Sequence, residues 1–213
     1  MDVYLIADTV TQGIGINLIC TVLASSFLFF RSQFRTSGIL IYLFISLLFE
    51  LSGFLMEPVN GLNHYLIPVF GLFEFGLLTA MLFKADSQVR RYVKLSGILL
   101  LVYAGAEAFS LFGSNGFLQI PARSVSYLLI MMAMIAGFVL KRVEGAGVLY
   151  SGVLVYASFN CIYFLLLSFS IYWDDDAKFI LWLSHSVLLH IFYPFLLYCQ
   201  WKTGKSRQPF LFG

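Results

Sequence analysis

Charge is what this sequence has least of. Only 11% of its 213 residues are Asp, Glu, Lys or Arg, where a soluble domain of similar size carries about a quarter. That scarcity excludes an ordinary solvated surface. The net charge is only +2, and the basic residues collect in a few connecting segments, which excludes a nucleic-acid partner. Cysteine is sparse as well. Cys20, Cys161 and Cys199 all fall in apolar stretches, and an odd set with no CxxC spacing gives neither a disulfide framework nor a metal signature. They read as small packing residues. The opening Met1-Asp2-Val3-Tyr4 lacks the basic region of a cleaved signal peptide. Arg31 and Arg35 follow the first apolar run, which is therefore expected to stay as a helix. No segment is long enough to form a second domain, so residues 1–213 are expected to be a single transmembrane domain.

What the chain has in abundance is apolar residues, at 60% of the total. They are arranged in seven runs at about 10–30, 37–56, 65–83, 96–112, 124–140, 148–171 and 179–200. Each is near the ~20 residues that cross ~30 Å of hydrocarbon as a helix. Lipid offers no partners to an open backbone, so runs of this kind must be helical. The expected fold is all-α and integral to the membrane, a bundle of seven transmembrane helices whose short connections make successive helices antiparallel neighbours. Tyr65, Tyr172, Trp173, Tyr198 and Trp201 stand at run ends, where aromatic side chains anchor a membrane interface.

Alternate connections differ sharply in charge. One side collects Arg31, Arg35, Lys84, Arg90, Arg91, Lys94, Lys141, Arg142, Lys202, Lys205 and Arg207, and the other only Arg123 and Lys178. The positive-inside rule places the basic side in the cytoplasm. The N-terminus is then expected outside and the C-terminus inside. Short connections suggest a plasma membrane, the inner membrane of a prokaryote.

Against this apolar background the polar residues within the runs carry the functional signal. Glu50, Glu74 and Glu107 each lie inside a run, where a charged side chain costs ~2.5–3.5 kcal/mol on insertion scales. Ser46, Glu50, Gly53 and Glu57 recur at helical spacing and form one polar stripe. Asn160, His185 and His190 join the set, as does Asn17, and the expected topology puts all of these in the outer half or near the middle. A polar cavity opening outward follows, with Glu50, Glu74, Glu107, Asn160, His185 and His190 as its ligand-binding residues. Polar pairs within a membrane also hold helices together, and for any single residue that reading has equal weight. Glu50 to Glu74 and Asn160 to His185 are separated by 24 and 25 residues, which hints at two three-helix halves joined by the fourth run.

His185 and His190 are five residues apart, so their side chains diverge by about 140° on a regular helix. A shared metal is not expected, since helical metal pairs stand four apart. Pro194 removes the helical hydrogen bond that would reach back to His190. Ser184 and Ser186 beside His185 make no catalytic pair, because adjacent helical side chains diverge by ~100°. No catalytic residue, metal or cofactor is expected.

Seven helices with an outside N-terminus resemble microbial rhodopsins. That resemblance would imply a retinal-bearing lysine in the last run, and residues 179–200 contain none. The intramembrane acids, serines and histidines resemble the seven-helix hydrolases that include alkaline ceramidases and adiponectin receptors. The implied zinc would be held by three histidines, two of them four apart in the last helix and on the cytoplasmic side. The spacing of five here, and His64 in or beside an outer loop, depart from that pattern. Both resemblances cover topology and two or three residues.

The expected function is a receptor-like or sensor-like module that binds a small molecule or ion from outside. Its partners would be the lipid bilayer and a cytoplasmic protein at the basic loops. A small transporter or proton-coupled carrier is the alternative, and a metal-dependent intramembrane hydrolase comes third.

Overall fold

A computed structural model of the protein describes residues 3–31, 37–56, 63–82, 88–113, 121–139, 147–169 and 173–205. Seven helices make up nearly all of these described residues: α1 (Val3–Arg31), α2 (Ser37–Met56), α3 (Asn63–Leu82), α4 (Gln88–Gly113), α5 (Pro121–Val139), α6 (Gly147–Phe169) and α7 (Asp175–Lys205). Each falls on one of the apolar runs. Three extend well beyond them: α1, which begins seven residues before its run, α4 and α7. α4 begins eight residues before its run because Gln88–Leu95 continues the helical hydrogen bonding through the basic residues Arg90, Arg91 and Lys94. α7 begins on a cap: Asp174 accepts the backbone N–H of Ala177 through Oδ1 at 2.8 Å. Asp175 and Asp176 follow in the first turn, where negative charge offsets the helix dipole.

The helices close into a circuit. Each packs against the next in sequence, α7 returns to α1, and α3 and α7 make the cross-contacts α3–α5 and α2–α7. Particular contacts fix their directions. Tyr163 lies on His185 while Gly152 lies under Phe195, so α6 and α7 are antiparallel. Gly13 faces His190 while Ser25 pairs with Gln200, so α1 and α7 are parallel. The core is drawn from every helix and includes Leu18, Leu43, Leu78, Leu100, Ile130, Val153 and Leu196.

The assembly is inverted relative to a soluble protein. Its outer surface is apolar, with Leu23, Phe30, Leu99, Val102, Val155 and Ile191 all well exposed, whereas Glu74, Asn160, Gln200, Ser25 and Ser46 are buried. Such a surface is stable against hydrocarbon and an aggregation hazard in water. Among the described residues three helical stretches are long and apolar enough to cross a membrane, Thr9–Phe30, Gly147–Leu167 and Asp175–Lys202. Shorter apolar stretches run Gly38–Gly53, Val69–Leu82 and Ser124–Ala136. The fold fits a helical membrane protein. Cys199 packs into the core, while Cys20 lies on the apolar exterior and Cys161 is half-buried.

Candidate functional site

The centre of the molecule is a carboxyl group surrounded by phenols. Glu74, 1% exposed, stands eleven residues into α3, about 16 Å along its axis. Tyr42 of α2 donates to its Oε1 at 2.7 Å, and so does Tyr156 of α6, also at 2.7 Å. Tyr127 of α5 donates to Oε2. Four helices therefore meet at one side chain. Aromatic packing holds the donors in place: Tyr156 stacks on Phe192 of α7 with centroids 3.7 Å apart, Tyr42 meets the same ring edge-on, and Tyr127 stacks on Phe164. All three tyrosines are essentially fully buried.

Three hydroxyl donors on two carboxyl oxygens make a strong network. A hydrogen bond to a charged group contributes about 1.5–3 kcal/mol and a neutral one about 1 kcal/mol. The arrangement also has a mechanical consequence. Any change in the charge or orientation of the Glu74 carboxyl acts on α2, α5 and α6 at once.

Asn160 is the second predicted site residue that the structure brings here. It is 0% exposed, lies one turn beyond Tyr156, and uses Nδ2 to donate to the Tyr156 carbonyl at 2.9 Å. Glu50 lies two turns beyond Tyr42 on α2 and is half-buried. Of the rest of its stripe, Ser46 is buried, Gly53 is half-buried and Glu57 lies outside the described residues. The side chain of Glu107 on α4 also lies outside the described residues, as does that of His64.

The two histidines diverge. His185 turns toward α6, where its ring stacks on Tyr163 at 4.1 Å and meets Phe164 edge-on. His190 turns toward α1. Its Nδ1 lies 3.0 Å from the Ser186 carbonyl oxygen, and a Cβ placed on Gly13 would stand 3.2 Å from its Nε2. Among the described residues no three His, Cys, Asp or Glu side chains gather as a metal site would require.

His190 belongs instead to a polar seam between α1 and α7. Gly13, Asn17, Thr21 and Ser25 recur every four residues, so they share one face of α1. Small and polar residues on such a face allow close approach and cross-helix bonds in an apolar medium. Asn17 donates through Nδ2 to the His190 carbonyl at 3.0 Å. That carbonyl would ordinarily accept from the N–H four residues on, which is Pro194 and has none. Asn17 supplies the missing donor from the neighbouring helix. At the other end of the seam Ser25 donates to Gln200 Oε1, and Gln200 returns a bond to the Ser25 carbonyl at 3.3 Å.

A groove of about 640 Å³ opens between α6 and α7, lined by Val148, Gly152, Val155, Ile191, Phe192 and Phe195 among others. Tyr156 also lines it, so its wall and the Glu74 cluster share a side chain. The groove depends on Gly152: a Cβ there would lie 2.1 Å from Cζ of Phe195. Gly152→Ala is therefore expected to drive the Phe195 ring toward the groove and lower stability by about 1–3 kcal/mol. Phe195→Leu in the same chain should restore most of the loss. Thermal melts of the two single variants and the double variant check this, and a Gly152→Ala protein as stable as wild type would rule it out.

The tyrosines of the cluster are the functional residues that sequence reasoning missed. In hydropathy they do not stand out from the apolar residues around them. The available signal was their position: Tyr42, Tyr127 and Tyr156 stand five, six and nine residues inside their helices, away from the ends where interfacial tyrosines belong. A phenol carried that far into an apolar interior needs a partner for its O–H, and a buried glutamate is an obvious one.

With this geometry established, comparison with known proteins adds nothing to it: no family model, curated protein or solved structure matches the chain.

Proposed function

We propose that all seven helices cross a plasma membrane, N-terminus outside and C-terminus in the cytoplasm. In this reading the protein is a sensor-like module that takes up a small molecule or ion from outside in its polar interior. The observation that carries it is Glu74, a buried carboxyl group tied by hydroxyls to three other helices. Occupancy near that group would alter three bonds together and so shift α2, α5 and α6 relative to α3. Such a shift would reach a cytoplasmic partner through the short basic loops. The eleven-to-two bias in Lys and Arg supports the orientation, and the apolar exterior supports the surrounding bilayer. The inner membrane of a prokaryote is the proposed location. Glu50, Glu107 and His185 remain candidates for the outer part of the pocket, while His190 serves the α1–α7 seam.

A proton-coupled carrier is the second reading. It is favoured by the pair of bonds to Glu74 Oε1 from Tyr42 and Tyr156, on α2 and α6. These are corresponding helices if α1–α3 and α5–α7 are two halves.

Purified protein in lipid nanodiscs, melted against sodium, potassium, amino acids and short carboxylic acids, tests the proposal. A solute at 100 times its Kd should stabilise by about 2.7 kcal/mol, and Glu74→Gln should abolish the response. Stabilisation without uptake into proteoliposomes supports a sensor. Uptake, with or without internal acidification, selects the carrier. A C-terminal reporter active only outside the cell would overturn the orientation.

A further inference from the structure

Buried polar atoms nearly always have a partner, and those without one in the protein usually bind water or a ligand. Asn160 Oδ1, Ser46 Oγ and Ser124 Oγ have no hydrogen-bond partner among the described residues. They belong to side chains 0%, 3% and 8% exposed. For Ser46 the omission is specific. Ser26, Ser52, Ser151, Ser158 and Ser186 all donate to the carbonyl four residues back, a bond equally open to Ser46 on its helix. Its hydroxyl does not take it.

The positions of the three residues are related. Ser46 follows Tyr42 by four residues, Asn160 follows Tyr156 by four, and Ser124 precedes Tyr127 by three, so each is about one turn from the tyrosine its own helix sends to Glu74. α5 spans about 28 Å, and the seven residues joining it to α6 reach at most about 25 Å, so the two helices are antiparallel. The five residues between α1 and α2 impose the same alternation. Since α1 is parallel to α7 and α7 antiparallel to α6, α2 and α6 point the same way. All three residues therefore lie on the same side of the Glu74 cluster, facing the core from three helices.

We infer that Ser46, Ser124 and Asn160 line a second polar tier, one turn from Glu74, that holds an oxygen-centred hydrogen-bond donor: a water molecule or the hydroxyl of a small solute. The chemistry follows from the groups present. Asn160 Oδ1 can only accept, so the occupant must direct a hydrogen-bond donor at it. The two serine hydroxyls can each accept or donate. The tier offers one fixed acceptor and two adaptable groups, which suits a neutral hydroxyl. This deepens the proposed interior binding site and rests on that reading for what the occupant does, but occupancy itself is measured without any signalling or flux assay.

The test is a double-mutant cycle between α2 and α6 in nanodiscs. Ser46→Ala removes a hydroxyl and Asn160→Leu removes an amide of similar size. If the tier is occupied, each should lower the melting temperature by about 2–4 °C, the shift expected for roughly one hydrogen bond in a chain of this length. The double variant should be little worse than the worse single variant, because the same occupant is lost in each. If the tier is empty, Ser46→Ala removes an unsatisfied hydroxyl and leaves stability unchanged or raises it, while Asn160→Leu costs only its own bond to the Tyr156 carbonyl and does so independently of residue 46. That outcome, or strictly additive losses, overturns the inference. Should Asn160→Leu fail to fold, Ser46→Ala with Ser124→Ala reads the same coupling. Infrared spectra of protein prepared without polyols then assign the occupant. A buried O–H band that shifts in water labelled with heavy oxygen belongs to water, and one that does not shift belongs to a solute hydroxyl.

Discussion

Glu74→Leu is expected to lower the melting temperature by about 10 °C. The substitution leaves three buried phenol hydroxyls without their acceptor, and each orphaned donor costs about 1–3 kcal/mol. A kcal/mol corresponds to roughly 2–4 °C for a chain of this length. Glu74→Gln should cost less, because the amide oxygen still accepts from two tyrosines and only the third faces an NH₂ group. Replacing Tyr42, Tyr127 or Tyr156 singly by Phe keeps the ring packing and should cost about 1–3 kcal/mol each, with coupling between them because they share one carboxyl group.

The decisive variant combines Glu74→Leu with all three tyrosine-to-phenylalanine changes. Removing both sides of a buried polar network can be nearly neutral when the apolar replacements fit. The quadruple variant should therefore regain most of the stability lost in Glu74→Leu while remaining unable to answer any solute that acts through Glu74. A quadruple variant no more stable than Glu74→Leu alone would show that the carboxyl group is not held chiefly by these three hydroxyls.

How much of this was legible in the sequence differs from residue to residue, for physical reasons. The helices were legible because runs of about 20 apolar residues have no alternative in lipid. The early start of α4 was not, since Arg90, Arg91 and Lys94 mark the end of an apolar run without ending a helix. Glu74 and Asn160 stood out because polar groups are costly in that setting. Their partners did not, because a tyrosine in an apolar run has the same hydropathy whether its hydroxyl reaches a membrane surface or a carboxyl group. His185 and His190 were separable by the 140° implied by their spacing, and they do face α6 and α1 respectively. Which helix each would meet depends on the circuit of packing, which periodicity does not encode.

The α1–α7 seam yields the second large effect, because it links a defect readable in sequence to a remedy visible only in the fold. Pro194 leaves the His190 carbonyl without its helical donor, and Asn17 Nδ2 fills that place from α1 at 3.0 Å. Asn17→Leu should therefore destabilise the protein by about 1–3 kcal/mol, the cost of a buried acceptor left unsatisfied. In a Pro194→Ala background residue 194 regains an N–H that can close the bond within α7, so the same Asn17→Leu change should cost at most a few tenths of a kcal/mol beyond its change in packing. The difference between the two costs is the coupling energy of the double-mutant cycle, about 1–2 kcal/mol. A structural asparagine acting only through its shape would give the same loss in both backgrounds. Thermal melts of the four proteins decide between these, and backbone amide exchange at residue 194 in the alanine variants would report the restored bond directly: slow exchange places the new N–H on His190, whereas fast exchange leaves Asn17 as the only donor that carbonyl accepts.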